Sequence, residues 1–235
     1  LYASGFLAGT DTDPAFALVL TTPSSYVVEL PAAETGLGTA QVQIVHNSPS
    51  PAVDIYVDGT LAVENFTYRS STALVDLPLS TVVGIAPTGG DVIAEFPFTL
   101  EQSVDYVVVA SGILNDTSTP FTLLASVLEQ DAQDDESFAL KVLHGVTDAP
   151  AVDVYADGEL VIENLAYGDF TEYLQVPAGD YTIDITAHGA EEAVASFSAP
   201  LTGLGGGTGM LYASGFLAGT DTDPAFALVL TTPSS

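Results

Sequence analysis

The sequence predicts an all-β protein: two tandem β-sandwich modules, immunoglobulin-like or prealbumin-like, with an N-terminal β-hairpin identical to the C-terminal one. Three observations carry that expectation. No segment of the 235 residues sustains the 3.6-residue apolar period of a helix. Short apolar runs alternate with polar positions and are separated by turn signals every ~8–12 residues, as in sandwiches. The chain also repeats itself, once without change and once as a diverged module.

Residues 1–25, LYASGFLAGTDTDPAFALVLTTPSS, return unaltered as residues 211–235. In each copy LYASGFLAG and FALVL flank the turn-forming TDTDP, so each reads as two strands of a hairpin. With both faces apolar, such a hairpin is at best marginal alone and must dock on other strands. For the second copy, residues 138–200 supply acceptor strands. The first copy, residues 1–25, is therefore expected to complete a neighbouring or preceding module. One route is a sequence window on a longer array, 210 residues of repeat plus 25 of overlap. The other is donor-strand complementation between chains. The side chains expected at that assembly interface are Leu1, Tyr2, Phe6, Leu7, Phe16, Leu18 and Leu20.

Residues 26–38 read as a connector. Module 1 is expected over 39–130 and module 2 over 137–235. Between them an acidic linker, 131–136, lies within EQDAQDDES, whose repelling charges would hold the modules apart and extended. The modules share landmarks in order: His46 with His144, Asp54 with Asp153, Tyr56 with Tyr155, Asp58-Gly59 with Asp157-Gly158, Glu64-Asn65 with Glu163-Asn164, Tyr68 with Tyr167, and Pro78 with Pro177. Alternation assigns faces. In VDIYVDG, Val53, Ile55 and Val57 point inward, Asp54, Tyr56 and Asp58 outward, and Asp58-Gly59 supplies a tight turn. DYVVVASGIL is apolar on both faces, as for a strand at a packed contact.

The chain carries 31 acidic residues against two basic ones, Arg69 and Lys141, for a formal charge of −29. That balance disfavours nucleic acid and anionic membrane surfaces, which need cations to neutralise phosphate. Self-repulsion of this size is relieved by salt, so a high-salt or seawater habitat with a solvated acidic surface is expected. There is no cysteine, hence no disulfide. No apolar run approaches the length of a membrane span.

A strand ending in His, then a Pro/Ala turn, AVDVYADG and VPAGDYTIDI together resemble the domain of unknown function 4397 family, secreted β-sandwich modules found in tandem in bacterial and archaeal surface proteins. In module 2 the pattern reads LHGVTDAPAVDVYADG. In module 1 the turn shortens to HNSPSPAVD and PAGDY becomes PLSTV. The resemblance implies an extracellular location and no established catalysis.

Candidate chemistry is sparse. His46 and His144 end inward-facing rows, where an imidazole satisfies loop carbonyls. Neither module has a second His or Cys at metal-ligand spacing. His188 is expected on an exposed face. Asp54 with Asp58, and Asp153 with Asp157, share a strand face without the concave site that glycoside hydrolysis needs. A weak surface calcium site is the second reading for these pairs, and no other cofactor is expected. ASG at Ser4, Ser111 and Ser214 reads as small-residue strand rather than a nucleophile elbow. GLGGGTG, residues 203–209, lacks a phosphate-loop Lys and reads as a flexible hairpin loop. Asn65 and Asn115 fit the glycosylation triplet. The expected function is a non-enzymatic structural subunit or repeat of an extracellular or cell-surface filament, a homopolymer whose partners are copies of itself. The alternative is a surface adhesin that binds glycan or peptide, with calcium or without, through Tyr56, Tyr155 and the Asp-Gly loops.

Overall fold

In a computed structural model the described residues are 2–4, 17–21, 27–30, 38–129, 131–221 and 223–233. They form two units, Leu1–Gly38 and Thr39–Ser235. In the first unit, β1 (Tyr2–Ser4), β2 (Ala17–Thr21) and β3 (Val27–Leu30) make an antiparallel sheet in that order. Residues 26–38, expected as a connector, thus contain a strand, because VVEL continues the ladder with Leu18 opposite Leu30 and Leu20 opposite Val28.

The second unit is two tandem β-sandwiches, each of two four-stranded sheets, with no helix among the described residues. Module 1 uses β4 (Thr39–His46), β5 (Val53–Val57), β6 (Thr60–Phe66), β7 (Val75–Pro78), β8 (Ser80–Pro87), β9 (Ala94–Thr99), β10 (Asp105–Ser111) and β11 (Thr122–Leu128). Its outer sheet has the order β6-β5-β8-β9 and its inner sheet β11-β10-β4-β7. Module 2 uses β12 (Ser137–Leu143), β13 (Val152–Ala156), β14 (Glu159–Leu165), β15 (Leu174–Pro177), β16 (Asp180–Ala187), β17 (Ala193–Pro200), β18 (Thr208–Ser214) and β19 (Ala227–Thr231). Its sheets run β14-β13-β16-β17 outside and β15-β12-β18-β19 inside. Among the described strands, the central inner pairs, β4 with β10 and β12 with β18, are the parallel ones.

Period-two alternation delivers the cores. Val42, Ile44, Val53, Ile55, Val83, Ile85 and Val108 fill module 1, and Leu140, Val142, Val152, Val154, Ile183, Ile185 and Leu211 line module 2. The opposite faces of the inner sheets are apolar as well. Val45, Val107, Val109 and Leu128 of module 1 form a third core with Leu143, Met210 and Tyr212 of module 2. The two inner sheets therefore pack against each other. The acidic segment does not hold the modules apart, because burying these apolar faces outweighs repulsion among charges that remain in solvent. Residues 131–137 are folded down instead. Asp134 Oδ1 accepts N–H bonds from Glu136 (3.0 Å) and Ser137 (2.8 Å), and Ala132 N–H reaches Gly206 O (3.1 Å). The glycine run 203–209 is likewise a packed crossing between the two sheets of module 2 rather than a flexible hairpin loop. At Gly205 a Cβ would collide with Asp135 O, so only glycine allows the approach.

A pseudo-two-fold relates the two sides of the seam. Tyr68 OH lies 2.6 Å from Ser214 Oγ, and its counterpart Tyr167 OH lies 3.2 Å from Ser111 Oγ. Gln43 Nε2 donates to Thr231 Oγ1 (3.3 Å), and Lys141 Nζ donates to Ser126 Oγ (2.7 Å). On the register of the inner hairpins, Ser126 and Thr231 are equivalent positions. Asn47 donates through Nδ2 to Gly145 O (3.1 Å) and Ala213 O (3.2 Å) across the seam. A Cβ at Gly145 would meet that amide nitrogen and Ala213 O. Gly145→Ala is expected to lower stability by roughly 1–3 kcal/mol through this overpacking, read as a shifted urea midpoint. A further Asn47→Gly change should restore part of the loss.

Candidate functional site

The hairpin that occurs twice is the feature on which an assembly role turns, and the second copy shows what it needs. In β18 and β19, Tyr212 stands opposite Val229, Ala213 opposite Leu228 and Ser214 opposite Ala227. In β1 and β2 the same ladder forms: Tyr2 opposite Val19, Ala3 opposite Leu18, Ser4 opposite Ala17. The two copies share register as well as sequence.

In module 2 the hairpin is covered on both faces. Leu211, Phe226, Leu228 and Leu230 face the sandwich core, with Phe226 edge-on to Phe197 at 5.3 Å. Met210, Tyr212 and Val229 face module 1. Burial pushes the Tyr212 phenol up to about 12. Along its third side, β18 pairs in parallel with β12, Val142 opposite Leu211. The copies of the expected contacts are Leu211 for Leu1, Tyr212 for Tyr2, Phe216 for Phe6, Leu217 for Leu7, Phe226 for Phe16, Leu228 for Leu18 and Leu230 for Leu20, of which Leu211, Tyr212, Phe226, Leu228 and Leu230 lie in these two cores. Of the first set, Tyr2 lies on β1 and Leu18 and Leu20 on β2, whereas Leu1, Phe6, Leu7 and Phe16 lie outside the described residues. Among the described residues, β1 is at the edge of the order β1-β2-β3, while its copy β18 is interior because β12 takes that edge.

The recurring polar landmarks resolve into turn and bulge locks. Opposite Asp54 the ladder skips from Phe66 to Val63, a bulge that puts Asn65 at φ 52° and frees its N–H. Asp54 accepts that N–H at 2.7 Å and Gly89 N–H at 2.9 Å. Asp153 does the same for Asn164 (2.7 Å) and Gly189 (3.1 Å). Both carboxylates are 5% exposed, not the outward solvent groups that alternation predicts, and these backbone bonds hold their pKa values below the usual carboxylate range. His188 is exposed but not idle, since its Nδ1 lies 2.8 Å from Asp153 Oδ1. Asp58 accepts Val82 N–H and Asp157 accepts Thr182 N–H, each at 2.8 Å. The Asp-Gly turns have the positive φ expected, 48° and 78° in module 1, 48° and 84° in module 2. Tyr56 and Tyr155 are half-buried. Among the described residues no three His, Asp or Glu side chains gather as metal ligands.

His46 and His144 are buried. Ser48 N–H and Val146 N–H point at their Nδ1 atoms, so Nδ1 accepts and Nε2–H donates, to Pro51 O (3.2 Å) and Pro150 O (2.9 Å). That fixes one neutral tautomer. Burial lowers both pKa values, partly opposed by the proline carbonyls.

Sequence reasoning missed two features. One is the reciprocal Tyr–Ser pairing across the seam, for which the recurrence of Tyr68 as Tyr167 and of Ser111 as Ser214 was a usable signal. The other is a cavity of about 290 Å³ between the sheets of module 2, where the equivalent space in module 1 is about 20 Å³. Cross-strand register explains the difference. Thr81 faces Phe98 in module 1, and the equivalent pair in module 2 is Tyr181 and Ala199. Tyr181 stands where module 1 has Thr81 and packs against the core with its hydroxyl on Pro177 O (2.8 Å), while Ala199 is smaller than Phe98. Phe66, Ile55 and Val57 likewise give way to Leu165, Val154 and Ala156.

Fold and site define a tandem β-sandwich protein whose modules share an apolar seam and are closed by a C-terminal hairpin. The family model described as domain of unknown function (DUF4397) matches residues 40–138 and 138–231, and the chain belongs to that family. No curated protein matches the chain.

The histidines set a pH dependence. A folded pKa below the unfolded value near 6.5 means the unfolded chain binds more protons in that window. The stability they confer is complete above 6.5 and is lost as pH falls. The urea midpoint should decline from about pH 6.5 toward about pH 5, ahead of carboxylate titration. In His46→Gln/His144→Gln that decline should vanish; an unchanged pH profile would contradict the neutral tautomers.

Proposed function

We propose that the protein is a non-enzymatic structural subunit or repeat of an extracellular or cell-surface filament, assembled head to tail from copies of itself. The observation that carries this reading is the second hairpin copy, which needs a β12-type strand at its edge, a sandwich core under one face and a module-1 sheet over the other. The first copy has the same side chains in the same register and therefore demands the same three-sided slot. A slot of that kind is built by residues 39–210 and is filled by the chain's own residues 211–235. Residues 1–25 therefore enter the slot of another unit either as the closing hairpin of a preceding repeat or by displacing that unit's own 211–235 copy. Repetition of one heterologous contact without closure gives a fibre. Peptide-linked repeats and strand exchange between chains use the same contact. The acidic surface suits a high-salt setting, where screening lets such units approach.

The test is Leu18→Asp/Leu20→Asp in the full 235-residue chain. The unaltered protein should form multimers whose mass, by light scattering, rises with concentration, and negative-stain images should show fibres. The variant should stay a single chain with the thermal unfolding of its sandwich modules unchanged. Denaturing electrophoresis then separates strand exchange from peptide linkage in native material. A monodisperse unaltered chain whose residues 1–25 are protected from hydrogen exchange would overturn the proposal.

A further inference from the structure

Module 2 keeps a space that module 1 closes with Phe98, and the chemistry of its walls restricts what enters it. The lining is aliphatic and aromatic almost throughout. His144 has both ring nitrogens committed to backbone, Tyr181 has its hydroxyl on Pro177 O, and Ser198 is on an exposed position of β17. Ordered water needs two to four polar partners, which these walls do not supply. The cavity has about twice the volume, ~150 Å³, of an apolar cavity that takes up benzene. It is also partly open, with the solvent-exposed Val161 and Val194 in its lining. The space is lined by strands of both sheets, and a flexible chain adapts to such a gap more readily than a rigid ring system.

Charge narrows the class further. Among the described residues no Asp, Glu, Lys or Arg lines the cavity. Both cations of the chain are engaged at the seam between modules, Lys141 on Ser126 and Arg69 on Ser214 Oγ (3.0 Å) and Ala225 O (2.7 Å). A carboxylate or phosphate head would find no counter-charge and would meet an acidic surface. We propose that the interior of module 2 binds a single unbranched aliphatic chain carrying an uncharged head group, a role separate from hairpin-driven assembly.

The test titrates the full chain with dodecan-1-ol and, separately, dodecanoate, each displacing the fluorescent probe 1-aminoanthracene. Dodecan-1-ol should displace the probe saturably and raise the thermal midpoint, and dodecanoate should bind at least about tenfold more weakly. Ala199→Phe restores the module 1 residue and should weaken dodecan-1-ol binding at least about tenfold while raising the thermal midpoint without ligand. Val154→Ile/Ala156→Val fills the same space more gently and should act in the same direction, which keeps the test decisive if Ala199→Phe fails to fold. Absence of saturable dodecan-1-ol binding, or filling variants that bind it like the unaltered chain, would overturn the site. Dodecanoate binding as tightly as the alcohol would overturn the uncharged head group.

Discussion

An antiparallel hairpin with apolar side chains on both faces cannot be an outer layer, and the architecture follows from that constraint. In module 2 the hairpin's Leu211, Leu228 and Leu230 need a sandwich core on one side, while Met210, Tyr212 and Val229 need a second protein surface on the other. A single sandwich supplies the first cover and leaves the second missing. Module 1 provides it with Val45, Val107 and Val109, and its own inner sheet is covered in return. The result is four sheets stacked in sequence, the two inner ones buried on both faces. That is why DYVVV and GMLYA read as continuous apolar runs whereas the outer strands alternate.

The same exchange of cover explains how the two modules diverge. Near the seam the substitutions are paired. Asn47 fits only because its counterpart is Gly145. Arg69, at φ 62°, reaches across to Ser214 and Ala225, while the equivalent turn position in the other module is Gly168. Inside the sandwich cores, Ala40 with Tyr106 in module 1 becomes Phe138 beside Gly209, a large-for-small swap. Within the centre of module 2 the compensation is partial: Tyr181 is larger than Thr81, but Phe98, Phe66 and Val57 all become smaller and a cavity remains.

Much of this was legible in the sequence because β-strands write their faces in alternate residues. The all-β class, the two modules and the Asp-Gly turns follow from spacing, and the bonding of His46 and His144 to loop carbonyls follows from their place at the end of an inward row. What failed were inferences that treat alternation as exposure. Asp54 and Asp153 sit on the solvent side of their strands yet are buried, because a bulge in the next strand wraps an N–H onto each carboxylate. The acidic segment read as an extended spacer, since charge runs repel. No local pattern states that the inner sheets bury each other, and that tertiary contact decides the outcome. The cavity was illegible for the same reason. Ala199 looks ordinary until its register against Tyr181 aligns it with Phe98.

The position of the two cations ties the seam to the charge of the whole molecule. With a formal charge of −29, two basic residues on the outer surface would be lost among 31 acidic ones and screened by salt. At the seam the local dielectric is lower and each becomes specific. Lys141 hydrogen-bonds Ser126 and lies 4.6 Å from the Tyr173 ring centroid; burial lowers its pKa, an effect opposed by the nearby carboxylates of Glu172 and Glu129. Arg69 lies over Tyr68 at 4.9 Å and fixes the far hairpin at Ser214 and Ala225. Acidic residues can then cover the outer faces, where they keep the molecule solvated. The seam itself depends on apolar contact, hydroxyl pairs and two cations, none of which salt weakens as it would an exposed ion pair.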